Sequence, residues 1–113
     1  MEDCLFCGMA AGRISVEKLY DQNGVFAIRD IHPRAPVHVL VISYEHIAMV
    51  SDLAVDHGPL LAQMYLAANE VARQEGVAES GYRCAFNVGR AAGQTIYHIH
   101  MHVLGGHTLG PEG

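Results

Sequence analysis

Near the C-terminus the chain runs Tyr97-His98-Ile99-His100-Met101-His102-Val103-Leu104. Three imidazoles alternate with apolar residues, which is the period of a β-strand whose side chains point to opposite faces in turn. His98, His100 and His102 then share one face, each roughly 6–7 Å from the next, while Tyr97, Ile99, Met101 and Val103 pack into a core behind them. A lone histidine on such a face is an ordinary polar residue. Three in strict alternation leave a row of rings without apolar neighbours, and that row requires a use. Imidazole offers two: a ligand for a transition metal, and at neutral pH a nucleophile or proton carrier for phosphoryl chemistry.

Two schemes follow. In one, the three strand histidines share a single ion, but the outer pair stand about 13 Å apart at 3.3 Å per residue, so two at most reach it. In the other, the labour is divided. His98 joins Cys4, Cys7 and the loop residue His46 in a Cys₂His₂ set, a closed and therefore structural Zn²⁺ site, and His100 and His102 stay free. Cys4-Leu5-Phe6-Cys7 lacks the preceding βαβ context of a redox dithiol. Just ahead of the histidines, Asn87, Gly89, Gly93, Gln94 and Thr95 form a Gly-rich polar turn. Its backbone amides, the Gln94 amide and the Thr95 hydroxyl are donors for phosphate oxygens. The second scheme describes a phosphoryl- or nucleotidyl-transfer site that needs no catalytic cofactor.

The elements that must position these groups are legible in outline. Leu5, Phe6, Met9 and Ala10 have helical spacing, ended near Gly12. Val16–Tyr20 and Gly24–Arg29 read as strands joined by Asp21-Gln22-Asn23-Gly24. Asp30–Pro36 is broken by two prolines, and Val37–Ile42 is a buried strand in which His38 is either a satisfied core histidine or part of the site. From about Asp56 to Gln74 a stripe of Leu60, Met64, Ala67, Ala68 and Val71 marks one long helix. Tyr82–Val88 reads as a further strand, with Cys84 as a small buried hydrophobe.

The chain has 113 residues, enough for one domain with one core, and half of them are hydrophobic. A formal net charge of −5, with seven scattered Lys and Arg, argues against a nucleic-acid or membrane-surface partner. No basic n-region precedes an apolar stretch and no apolar run approaches membrane-span length, so with three cysteines the expected location is cytoplasmic.

These motifs together resemble the histidine-triad (HIT) superfamily of nucleotide hydrolases and transferases. His98-Ile99-His100-Met101-His102-Val103-Leu104 is similar to its His-φ-His-φ-His-φ-φ signature. Asp30–Ile42 resembles the family's nucleoside-binding and strand segment, Gly93–Tyr97 its phosphate turn, and Leu104-Gly105-Gly106 the ending of its HINT branch. The resemblance spans nearly the whole chain. It implies an α+β domain, residues 1–113, with an antiparallel sheet of about five strands, one long and one short helix, and a sheet continued across a homodimer.

It also implies roles. His100 matches the nucleophile of a covalent nucleotidyl-histidine intermediate, and His102 the histidine that contacts phosphate and assists proton transfer. His38 matches a buried histidine that orients and polarises the nucleophile. Asn87, Gly93, Gln94 and Thr95 match phosphate-side contacts. Leu5, Phe6, Met9 and Ile28 fall on the apolar purine pocket, and Arg29, Asp30 and Ile31 on the ribose and base wall. Cys4, Cys7, His46 and His98 match the structural zinc ligands of metal-containing members. The implied activity is hydrolysis of purine nucleoside 5′-phosphoramidates or acyl-adenylates to the monophosphate. The alternatives are a dinucleoside polyphosphate hydrolase of the same superfamily and a nucleotide-binding interaction module. The chain departs from HINT proteins in its tail, which has no tryptophan and ends Leu109-Gly110-Pro111-Glu112-Gly113.

Overall fold

A computed structural model describes residues 3–112. A six-residue helix, α1 (Leu5–Ala10), opens it, capped by the Cys4 side chain, which accepts from the Cys7 backbone N–H. Strands β1 (Tyr20–Gln22) and β2 (Val25–Arg29) form a hairpin, followed by β3 (Val37–Ser43). The long helix α2 (Gly58–Gln74) comes next, then β4 (Tyr82–Ala85) and β5 (His100–Gly105). The five strands form one sheet in the order β1-β2-β3-β5-β4, every pair antiparallel. This is the α+β architecture expected from the sequence. None of the described helices is long and apolar enough to cross a membrane.

Strand register sorts the side chains into two layers. Opposite residues of an antiparallel pair share a face. Val39 faces Val103 and Val41 faces Met101, and this face packs on Met64, Ala67, Ala68 and Val71 of α2. The other face carries Leu40 opposite His102 and Ile42 opposite His100, with Phe26 and Ile28 of β2 beside them. Phe6 and Met9 of α1 pack there. The sheet thus spends one side on its core and the other on α1 and a cavity.

Several boundaries differ from the sequence reading. The first strand is Tyr20–Gln22, not Val16–Tyr20, because only Asn23 and Gly24 make the turn. Both have positive φ, 57° and 78°, the two-residue hairpin loop that matches strand twist, so Asp21 and Gln22 remain paired. The helix expected from Asp56 starts at Gly58, after a 3₁₀ turn at Val55–His57. Strand β4 ends at Ala85 instead of Val88, and Asn87 leaves the sheet for the cavity. Strand β5 begins at His100, so His98 precedes it, and Tyr97 is 43% exposed and not part of the core. Ile99, Met101 and Val103 are buried as expected.

Met64 is fully buried between α2 and the sheet. Its truncation to alanine removes apolar contacts and leaves a cavity, so Met64→Ala is expected to lower unfolding free energy by about 2–5 kcal/mol in urea titration. A loss below half a kilocalorie would contradict the packing described.

Candidate functional site

Each triad histidine is oriented by a different partner, and the partners fix where the protons sit. The His98 ring is completely buried, and its Nε2–H donates to the Ser43 carbonyl at 2.7 Å. Its Nδ1 is left as a lone pair facing Cys4 Sγ at 3.3 Å, Cys7 Sγ at 3.6 Å and His46 Nδ1 at 3.2 Å. Cys7 Sγ lies 3.1 Å from His46 Nδ1, and the four donor atoms fall within 4.8 Å of one another. Tetrahedral Zn²⁺ holds N and S ligands roughly 3.3–3.6 Å apart, given Zn–N of about 2.0–2.1 Å and Zn–S of about 2.3 Å. The set fits such an ion, and the Ser43 bond would hold the His98 imidazole in orientation to ligate it. Burial pushes the Cys7 thiol pKa up, and Cys4 beside it acts in the same direction. A dication is what would favour two adjacent thiolates.

His100 is held differently. Its Nδ1–H donates to the carbonyl of His98 at 2.7 Å, so the free lone pair is on Nε2. The ring packs edge-on to Phe6, centroids 5.1 Å apart, and Phe6 also stands edge-on to His98. Burial lowers the His100 pKa against the opposing pull of the His98 carbonyl and Asp30. The ring is therefore neutral near pH 7, the state in which an imidazole attacks.

His102 Nδ1 lies 2.9 Å from His38 Nε2 and 3.3 Å from the guanidinium Nη2 of Arg34. Behind it, the Arg34 backbone N–H donates to His38 Nδ1 at 3.0 Å, which leaves the proton of His38 on Nε2. Asp30 Oδ2 is 3.3 Å from that same Nε2. His38 thus makes its polar side-chain contact with His102, and the resemblance's role for it, orienting and polarising His100, would run through that ring. The Asp30, His38 and His102 donor atoms are also close together. With its proton on Nε2, however, His38 has no lone pair to give a cation there. Burial, then the neighbours His100, His38 and Arg34, bring the His102 pKa down to about 4.

His100 and His102 look onto a cavity of about 460 Å³. Leu5, Phe6, Met9 and Ile28 form its apolar side, and Arg29, Asp30 and Ile31 its edge. His100, His102, Asn87, Gly93 and Thr95 line the remainder. Gln94 does not. Its amide is consumed by the turn, accepting from Gly89 N–H and donating to the Ala48 and Ile96 carbonyls, so it shapes the loop instead of facing phosphate. Arg29 is paired with Glu17 and Glu75 on its outer side. The cavity also takes in His32, Arg34, Leu40 and Ile96, which the sequence reading passed over. The alternation of β3 could have flagged Leu40, which shares a strand face with His38.

Residues 11–109 match the family model described as the HIT domain. The chain belongs to the HIT family. Among similar proteins, the purine nucleoside phosphoramidase of Escherichia coli K12 is 43% identical over 110 residues, spanning 97% of this chain and 92% of that one. A HIT family hydrolase from Clostridium thermocellum superposes with a TM-score of 0.94 at 45% identity, covering 99% and 97% of the two chains. One from Legionella pneumophila gives 0.91 at 43% identity, covering 94% and 95%. The HIT match starts after Cys4 and Cys7, so the cysteine half of the four-ligand cluster lies outside it.

The depressed His102 pKa has a consequence for stability. Folded His102 takes up a proton near pH 4, whereas the unfolded imidazole does so near 6.5. Above 6.5 neither state is protonated; as pH falls from 6.5 toward 4 only the unfolded chain gains the proton, so stability is lost across that window. His102→Asn is expected to remove up to about 3 kcal/mol of that acid destabilisation in denaturant titrations at pH 7 and 4.5. An unchanged pH dependence would contradict the buried neutral ring.

Proposed function

We propose that this HIT protein is a nucleotide hydrolase that cleaves purine nucleoside 5′-phosphoramidates or acyl-adenylates to the nucleoside monophosphate. The hydrogen bond from His100 Nδ1 to the His98 carbonyl carries this reading, because it leaves Nε2 as a lone pair on a ring that lines the cavity. In the proposed reaction Nε2 attacks the α-phosphorus, the P–N or P–O bond to the leaving group breaks, and a nucleotidyl-histidine forms. Water then attacks phosphorus, the P–N bond to His100 breaks, and AMP or GMP departs. His102, whose Nδ1 is taken up by His38 and Arg34, has Nε2–H left to donate to a phosphate oxygen or the departing group. The apolar wall of Leu5, Phe6, Met9 and Ile28 suits a purine, and Asp30 suits ribose hydroxyls. The names of the similar proteins support the hydrolase class, and the phosphoramidase among them supports the substrate class.

Cys4, Cys7, His46 and His98 would hold a structural zinc. With four protein ligands it leaves no open position, so its part is to tie the N-terminal segment to the sheet. A homodimer goes with the reading as well, supported by the edge position of β4 and by Tyr65 and Leu66, 47% and 55% exposed on α2. The free cysteines favour a cytoplasmic setting.

The deciding assay incubates the protein with adenosine 5′-phosphoramidate and, separately, diadenosine tetraphosphate, with and without EDTA. EDTA-insensitive release of AMP from the first alone is expected. Turnover of the second alone would point to a dinucleoside polyphosphate hydrolase, and tight AMP binding without turnover to a binding module. His100→Ala should abolish hydrolysis while AMP affinity stays within about tenfold, measured by calorimetry. Cys4→Ser should lose its zinc by elemental analysis and melt several degrees lower.

A further inference from the structure

Arg34 hydrogen-bonds both buried histidines, His38 and His102, through different groups. It stands in the loop of residues 30–36 between β2 and β3, exposed to solvent and lining the cavity. Its backbone N–H donates to His38 Nδ1 at 3.0 Å, and its guanidinium Nη2 lies 3.3 Å from His102 Nδ1. No carboxylate pairs with it among the described residues, so its charge is not spent elsewhere. The loop is pinned from below: Gly106, at φ +100°, lets Pro36 approach so closely that an added Cβ would lie 2.8 Å from the proline Cβ.

Polarity gives these contacts their meaning. An imidazole nitrogen donates or accepts according to tautomer, so the His38–His102 contact alone leaves the direction of the bond open. A backbone N–H and a guanidinium can only donate. We propose that Arg34 is a positioning residue that sets both tautomers, its main chain assigning the proton of His38 to Nε2 and its side chain reserving His102 Nδ1 as an acceptor, so that His102 presents Nε2–H to the cavity.

The charged and titratable groups around His102 are His38 on β3, Asp30 and Arg34 on the loop, and His100 on β5. Asp30 favours a protonated His102 and Arg34 opposes it. With the guanidinium gone, Asp30 acts against less opposition, and of the two donors that reserve His102 Nδ1 only His38 Nε2–H remains, still held by the backbone N–H of residue 34. Arg34→Met therefore weakens the preference for the Nε2–H tautomer and raises the pH at which His102 titrates. Arg34→Lys keeps the charge, and Arg34→Gln keeps a donor without it.

This inference rests on the hydrolase reading for its catalytic consequence, but its first test does not. Imidazole ¹⁵N NMR on the full-length protein reads tautomer and titration directly. His102 is expected as Nε2–H in the wild type, with its midpoint about half a unit to one unit higher in Arg34→Met and back near wild type in Arg34→Lys. Identical tautomer and midpoint in wild type and Arg34→Met would overturn the assignment; should Arg34→Met fail to fold, Arg34→Gln, which removes the charge and keeps a donor, tests the midpoint, and an unchanged midpoint there would overturn it equally. In the hydrolysis assay, kcat of Arg34→Met should fall about tenfold with KM within about twofold, and the acidic limb of kcat/KM should move up in pH. If the NMR shifts appear but the wild type does not cleave phosphoramidates, the tautomer relay stands and the substrate reading falls.

Discussion

The whole site hangs on a main-chain carbonyl, that of His98, which accepts the Nδ1 proton of His100 two residues later. A histidine offers a lone pair only from the nitrogen that its other bond leaves free, so the bond decides which atom of His100 is available for chemistry. For that carbonyl to be fixed, His98 itself must be fixed. It is held by its Nε2–H on the Ser43 carbonyl, by the cysteine and histidine cluster at its Nδ1, and by the bond from Ile99 N–H to Ile47 at 2.7 Å. The cluster is thus coupled to the cavity through backbone and a single shared aromatic ring, Phe6, which packs against His98 and His100 alike.

The sheet supplies the rigid frame behind these bonds. In an antiparallel pair each position has one partner, and the β3–β5 register places the histidines of β5 beside the apolar wall of Leu40 and Ile42. The opposite face buries Val39, Val41, Met101 and Val103 under α2. Slipping the register by one residue would exchange the two faces and bury the histidines under the helix. Hydrophobic packing on one side therefore enforces the chemical order on the other. Burial then does chemical work of its own, holding His38, His100 and His102 neutral while Asp30 pulls the other way.

Much of this was legible in the chain. The strict alternation at residues 98–104 places His100 and His102 on one face, and the Leu, Met and Val stripe marks α2 as core, because both patterns follow from fixed geometric periods. The separation of Cys4, Cys7, His46 and His98 from the other histidines follows from the reach of a strand, and the four donor atoms do meet. Gln94 was misplaced because residue type shows that an amide can donate but not what competes for it. Gly89, Ala48 and Ile96 compete, and all three come from loop backbone. Arg34 went unread because a cation between two prolines looks like any solvated loop residue.

Sequence by itself determined the element types and the two-faced character of the central strands, since each depends on periodicity or on short local spacing, and its motifs carry the resemblance to the HIT family. The tertiary structure decided the directions of the hydrogen bonds: which nitrogen of each imidazole is free, that His38 makes its side-chain contact with His102, and that Arg34 reaches both. Those depend on donors brought from loops and strands far apart in the chain to within about 3 Å of one another, a distance scale on which only the folded backbone has any say.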